Sequence, residues 1–282
     1  MFEIDQFQDN CYLFKSSYWF LNSGFYLEED GWAVIDPGFS PSELMQLREY
    51  MKDKDTSKKY LIYTHSDFDH ITGGYYFPEA QKVAQASFEH CSKDAQVDHL
   101  READEACEIE RPDFVFPSID VTFEDKLDLQ FPKVSISLLA APGHTRDSLF
   151  VLIKDKGVLF SGDTLSDNEF PLVMYNSDKY IETLKMAKSL VEKYDLKYVV
   201  PGHGSIAKGS SEILKRIDVD IDYLENLTGQ AEDLFFQGLA TIEIKDVLKG
   251  MHYKGDYVGE ELMPAHERNI DLVIEEAGDK LC

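Results

Sequence analysis

The segment YLIYTHSDFDH, Tyr60 to His70, decides how this chain is read. Its opening run, YLIYT, has the length and apolar continuity of a strand covered on both faces. Directly after it, His65, Asp67, Asp69 and His70 fall within six residues. Imidazole and carboxylate are the donors that borderline and hard divalent metals take. In an extended segment, alternation throws His65, Asp67 and Asp69 to one side. His70 adjoins Asp69 and must point elsewhere, which suits a second metal beside the first. Taken alone, the motif also fits a polar loop that caps a following helix.

The same architecture recurs along the chain. WAVI (32–35), VSISLLA (134–140), GVLF (157–160) and YVV (198–200) are strand-length apolar runs, followed by DPG, PGHT, SGDT and PGHG. Three of those followers carry His144, Asp163 and His203. In open α/β sheets, ligands collect at the carboxyl ends of strands. Each residue alone fits a loop histidine or a turn aspartate bonded to its own backbone. Four strand ends supplying His and Asp in this order point to one metal-binding edge.

This ordered set resembles the metallo-β-lactamase superfamily, over roughly residues 10–205. The family pattern is an Asp in a DPG-type turn, HxHxDH, a later His, a bridging Asp and a final His. Asp36, His65, Asp67, Asp69, His70, His144, Asp163 and His203 stand at the matching places. The resemblance implies an α/β fold, a four-layer αββα sandwich, with two divalent metal ions in a cleft along one sheet edge. His65, Asp67 and His144 would hold the first, and Asp69, His70 and His203 the second. Asp163 would bridge them, and Asp36 would orient a ligand without binding metal. A hydroxide shared by the metals would be the nucleophile, with Asp69 as the catalytic residue that orients it. No nucleophilic Ser or Cys is required.

One residue departs from the pattern. The family usually has His where this chain has Asp67. Asp67, Asp69 and Asp163 carry three negative charges where the usual set carries two, so two dications plus a hydroxide leave the centre near neutral. Zinc is the first expectation, and the harder first site should also accept iron or manganese. Activated water should lose its proton at somewhat higher pH than at a strongly activating zinc site.

Between the strand runs lie helical patterns. Pro41 and Ser42 open one, and 177–194 carries an amphipathic stripe through Ile181, Leu184, Ala187 and Val191. NCYLFKSSYWFLNSGFYLE reads as a hairpin turning around Lys15–Ser17. The stretch from Gln81 to Pro132 reads as a short strand, a charged helix from Ser92 to Glu110 and two further strands. Residues 209–237 and 263–277 read as helices separated by KGMHYKGDYVGE. This divides the chain into a catalytic domain, 1–205, and a helical extension, 206–282, packed on the same domain.

Secondary candidates are weaker. Tyr75, Tyr76 and Phe77 follow the metal motif and fit either a substrate mouth or ordinary packing. EFPLVMYNSDKY (169–180) lies where the family often carries substrate contacts, and Tyr175 is its candidate donor to a substrate carbonyl. His266 reads as a cap or surface residue. HLREADEACEIE reads as a solvated helix face.

Composition bounds the function. The 282 residues include 53 acidic and 28 basic side chains, a formal charge of −25 that repels phosphate backbones and anionic lipid. Nucleic-acid binding is thereby disfavoured, and ribonuclease-type members of the family with it. No run approaches the roughly 20 apolar residues needed to span a bilayer, so no membrane association is expected. MFEIDQFQDN lacks the pattern of a secretory signal. Cys11, Cys91, Cys107 and Cys282 form no CxxC pair, which suits a reducing compartment and predicts a cytoplasmic protein. Lactonase-type members resemble a pattern with Tyr where this chain has Ser166. A glutathione thioester would call for a basic anchor that the Lys/Arg-poor tail does not obviously offer, and a β-lactamase role fits poorly.

These readings converge on a metal-dependent hydrolase of a small-molecule substrate: an ester, thioester, lactone or phosphoester. The alternative is a di-iron oxidoreductase resembling the flavodiiron proteins, whose HxExDH also has a carboxylate at the position of Asp67. That reading requires a separate electron donor, since no flavin-binding segment is recognisable. A metal-free binding module is disfavoured by the survival of seven ligand-type residues. A helical tail of this kind leaves a homodimer open.

Overall fold

Strands whose side chains alternate between two apolar faces build the centre of the molecule. The computed structural model describes residues 4–54, 56–112 and 114–281, so Cys282 lies outside the described residues. One sheet has seven strands in sequence order: β1 (Ile4–Gln8), β2 (Cys11–Lys15), β3 (Asn22–Glu28), β4 (Gly31–Ile35), β5 (Lys58–Ile62), β6 (Gln81–Gln85) and β7 (Val121–Phe123). The second has six: β8 (Lys126–Gln130), β9 (Ser135–Ala140), β10 (Leu149–Ile153), β11 (Val158–Gly162), β12 (Tyr198–Pro201) and β13 (Ala207–Lys208), in the order β13-β12-β11-β10-β9-β8. The helices are α1 (Pro41–Met51), α2 (Lys93–Ala106), α3 (Ser177–Tyr194), α4 (Ser210–Phe236), α5 (Thr241–Leu248) and α6 (Met263–Leu281). A two-stranded hairpin, β14 (His252–Tyr253) with β15 (Asp256–Tyr257), lies between α5 and α6.

Alternation makes the layers. In β4, Ala33 and Ile35 enter the core between the sheets, while Trp32 and Val34 enter a second core shared with Leu47 and Met51 of α1. In β10, Leu149, Val151 and Ile153 face the inter-sheet core, while Phe150 and Leu152 face a third core under α3 and α4. A strand buried on both faces has no polar side, which is why these segments read as unbroken apolar runs. The result is the expected αββα sandwich. That third core also takes in Ile244 of α5 and Ile270, Val273 and Ile274 of α6. The C-terminal helices therefore share their apolar contacts with the second sheet.

Strand direction gathers the motifs. β4 to β7 are mutually parallel, as are β11 and β12, and β9 shares the direction of β11 through the antiparallel β10 between them. β4, β5, β9, β11 and β12 therefore all precede motif residues at one edge. Leu149 N donates to Thr64 O at 2.8 Å, and Asn22 Nδ2 donates to Pro201 O and Gly204 O at 2.9 Å, stapling the two sheets there.

Several expectations change. The β2–β3 hairpin turns over Ser16–Leu21, a longer connection than one centred on Lys15–Ser17. The charged helix stops at Ala106, and Glu108 has a left-handed backbone with φ 54°. α5 occupies 241–248, which was read as neither helix nor linker. β10 was also missed: it runs opposite to its neighbours and ends in the charged turn Lys154–Lys156, away from the motif residues.

Candidate metal centre

The motif after β5 is a tight turn and not an extended segment: His70 N donates to Asp67 O at 3.0 Å. This overturns the alternation expected for it. Asp69 faces away from His65 and Asp67 and joins His70 and His203. His65, Asp67, His144 and Asp163 form the other group, the ligand-type atoms of each group lying within 4.8 Å of one another.

Asp163 stands between the groups. Its Oδ2 lies 3.5 Å from His65 Nε2 and 3.7 Å from His144 Nε2. Its Oδ1 lies 3.1 Å from His70 Nε2 and 3.7 Å from His203 Nε2. Asp67 Oδ2 completes the first group, 3.5 Å from His65 Nε2 and 3.4 Å from His144 Nε2. Asp69 Oδ2 completes the second, 3.1 Å from His203 Nε2.

Each imidazole is turned inward by what its Nδ1 meets. His144 Nδ1 lies 2.9 Å from Leu172 O and His203 Nδ1 lies 2.8 Å from Trp19 O, so Nδ1–H donates and Nε2 keeps its lone pair for the centre. His65 Nδ1 is 3.0 Å from Thr64 Oγ1, and His70 Nδ1 is 3.0 Å from Asp36 Oδ2. Asp36 also accepts from Thr64 N at 2.8 Å and Thr64 Oγ1 at 2.6 Å. It orients the turn and contacts no other member of the cluster but His70. The Trp19 and Phe20 backbones are left-handed, φ 47° and 57°, a strain of about 1–3 kcal/mol each in bulky residues. That geometry delivers Trp19 O to His203 and Phe20 O to Gly204 N. Gly202 leaves the centre open, for a Cβ there would lie 2.8 Å from His70 Cε1 and closer still to Asp163 Oδ1.

The donor set fits cations. Nε2 of His65, His70 and His144, with Asp163 Oδ1, are buried and make no hydrogen bond of acceptable geometry. Leaving a buried polar atom unpaired costs about 1–3 kcal/mol, and here four such atoms converge on one place. Without cations, protons must balance the carboxylates. Burial and the nearby His70 push the His65 pKa down, but Asp163 and Asp67 outweigh them and hold it at about 10. Burial likewise opposes charge on His70, His144 and His203, and the facing aspartates raise all three. Burial would raise Asp67, Asp69 and Asp163, yet the imidazoles hold each below the usual carboxylate range. A site charged this way exchanges protons for dications.

The sequence reading missed two residues here. Gln96 of α2 donates from Nε2 to Asp67 Oδ1 at 3.1 Å and accepts from Phe68 N at 2.9 Å. It leaves Asp67 Oδ2 as the oxygen facing the centre. No spacing signal marked it, because α2 reads as a solvated face. Glu169 groups with Asp163 and His203, and burial followed by the Asp163 charge raises its pKa to about 7. It opens the 169–180 stretch, which the sequence reading had associated with Tyr175. Tyr175 is instead exposed, with Arg146 over its ring, and the cleft takes Leu172 and Met174 from that segment.

His266 is a correction as well. It is fully buried, its Nδ1 2.8 Å from Tyr223 Oη and its Nε2 3.0 Å from Leu248 O, tying α6 to α4 and α5. Of the aromatic trio, Phe77 packs in the α1-side core, Tyr75 is exposed, and none of the three lines the cleft.

The cleft beside the first group holds about 400 Å³ and is lined by Asp67, His144, Asp163 and Glu169, with Phe68, Phe170, Leu172, Met174, Leu262 and Ala265 as apolar wall. A larger cavity, about 570 Å³ between α4 and the β14–β15 hairpin, contains none of the seven motif residues. Chemistry, rather than volume, marks the smaller one.

Comparison with known proteins agrees with this architecture. The model of the metallo-beta-lactamase superfamily matches residues 17–203. The chain belongs to the metallo-beta-lactamase superfamily, and it is a hydrolase of that superfamily. The human acyl-coenzyme A thioesterase MBLAC2 is 28% identical over 192 residues, 61% of this chain and 68% of the relative. Among solved structures, the inverting sec-alkylsulfatase Pisa1 from Pseudomonas sp. superposes with a TM-score of 0.75 at 14% identity, covering 98% of this chain. The chain spans half of that sulfatase's length. A metallo-beta-lactamase from Pontibacter korlensis superposes with a TM-score of 0.57 at 17% identity, over 79% of this chain and 99% of that one. These structural likenesses are likenesses of fold.

Proposed function

We propose that this chain is a dinuclear metal hydrolase of esters and thioesters, within a wider set that includes lactones and phosphoesters. One observation carries the reading: the two oxygens of Asp163 are divided between two groups of imidazoles, as a bridging carboxylate requires. His65, Asp67 and His144 would hold the first ion, Asp69, His70 and His203 the second. Zinc is the first expectation, and the added carboxylate of Asp67 also admits iron or manganese. The ions would supply Lewis acidity at a substrate oxygen and bring water toward deprotonation near neutral pH.

The chain's own residues do the rest. Asp69 has a carboxylate oxygen toward His203 and serves as acceptor for a proton of the attacking water. Asp36 and Gln96 hold the turn and Asp67 in register. Glu169 stands at the cleft beside Asp163 and His203. The apolar wall excludes water from an acyl chain, and the similarity to a named acyl-coenzyme A thioesterase supports a thioester. Residues 1–205 would be the catalytic domain and 206–282 an extension on it, with α6 supplying part of the cleft wall.

The test is a panel of esters, thioesters, lactones and phosphoesters on protein of measured metal content, with Asp163→Ala as blank. Ester or thioester hydrolysis that vanishes in the blank is expected. Equal activity in the blank would mean the wrong centre has been assigned, and no turnover in any class would refute the substrate reading.

A further inference from the structure

We propose that Arg268 of α6 reads an anionic group on the substrate, so that the preferred substrate is an amphipathic anion with an apolar chain lying between that group and the metal centre. The inference rests on the hydrolase reading of the same cleft. The chain has six arginines. Arg48, Arg101, Arg111 and Arg216 each pair with a carboxylate, and Arg146 lies over the Tyr175 ring. Arg268 makes no hydrogen bond or ion pair with any described residue, although acidic side chains outnumber basic ones almost two to one.

Its position gives that freedom a use. Arg268 is exposed and lines the 400 Å³ cleft, where it is the one permanently cationic side chain among the described lining residues. The other charged groups there are Asp67, Asp163, Glu169 and Glu261. Asp67 and Asp163 belong to the metal set, so cations neutralise them. Leu262, just before α6, and Ala265, about one turn of α6 before Arg268, continue the apolar wall of Phe68, Leu172 and Met174. One cleft therefore holds an exposed guanidinium, an apolar wall and the metal-type donors. A guanidinium offers forked donors that match carboxylate, sulfonate or phosphate. In a protein of net charge −25, a local cation at the mouth offsets the repulsion an anion would otherwise feel. Composition offered no clear basic anchor in the tail, and Arg268 is the residue whose position makes it the candidate.

The experiment compares three octanoyl-length thioesters on metal-loaded protein. One is octanoyl 2-mercaptoethanol, which is neutral. The second is octanoyl 2-mercaptoethanesulfonate, anionic on the thiol side. The third is the 2-mercaptoethanol monothioester of octanedioic acid, anionic on the acyl end. Wild type should favour one anionic compound by about tenfold or more in kcat/KM, with the preference collapsing toward about twofold in Arg268→Ala and partly retained in Arg268→Lys. The preference should also shrink as salt rises. Whichever anionic arm wins assigns the charge to acyl or thiol side. An equal preference in wild type and Arg268→Ala, or none in wild type, overturns the proposal. Titration calorimetry with the unreactive amide counterparts of all three, N-octanoylethanolamine, N-octanoyltaurine and the monoethanolamide of octanedioic acid, separates the two readings. If no thioester turns over above Asp163→Ala, the thioester reading fails. Tighter binding of either charged amide, lost in Arg268→Ala, would still support the anion site, and equal affinities of all three would refute it.

Discussion

At the scale of single residues, Asp67 is where this chain departs from its family and where a substitution says most. Burial would raise its pKa, but His144 and His65 outweigh burial and keep it ionised. It therefore adds a full negative charge to the centre, and Gln96 fixes which oxygen faces inward. Asp67→His removes that charge, so water is more easily deprotonated and the acid limb of the rate profile should move to lower pH by up to about one unit. An unmoved profile, at equal metal content, would show that the charge of Asp67 does not reach the chemistry. All seven motif residues were legible as candidates because imidazoles and carboxylates in that pattern are ligand-type donors, and the structure gathers them into two adjoining groups. Gln96 was not, since a glutamine on a charged helix carries no such signature, and its role exists only through the turn it meets.

At the scale of elements, legibility followed burial. β4, β9, β11 and β12 read correctly because each is buried on both faces and stops at a motif. β10 is as apolar as any of them, but its carboxyl end lies at the opposite edge, so a reading organised by strand-end chemistry passed over it. α5 was lost for another reason: only Ile244 and Leu248 of its eight residues are buried, too short a stripe to mark a period. α6 was found as a helix, but its contribution to the cleft was invisible until Ala265 and Arg268 were seen to line it together with Phe68. Asn269 shows how the element is fixed there, accepting from Val173 N at 2.8 Å and donating to Pro171 O at 2.9 Å. The backbone of the segment carrying Glu169 and Leu172 is thus tied to α6 through the Asn269 side chain.

At the scale of the whole molecule, the centre links stability to pH. In metal-free protein His65, His70, His144 and His203 are held above their ordinary pKa near 6.5, His65 at about 10. Their contribution to stability is complete below about pH 6.5 and is lost as pH rises through the raised values. The aspartates are lowered, so theirs is present above about pH 4 and lost only on further acidification. Chelator-treated protein should therefore lose thermal stability between about pH 6.5 and pH 9, while metal binding strengthens as protons leave. The measurement is the difference in Tm between metal-loaded and chelated samples across that range, which cancels groups such as Cys11 that titrate in both. A widening difference is expected, and a constant or narrowing one would contradict the proton–cation exchange. No helix among the described residues is long and apolar enough to cross a membrane.

The central claim is that Asp163 joins two cation sites into one centre, and metal counting tests it most directly. Purified under metal-replete conditions, wild-type protein should carry two divalent ions per chain, and Asp163→Ala should carry at most one and hydrolyse nothing. A wild-type chain that binds no ion, or a variant that keeps both, would contradict the account.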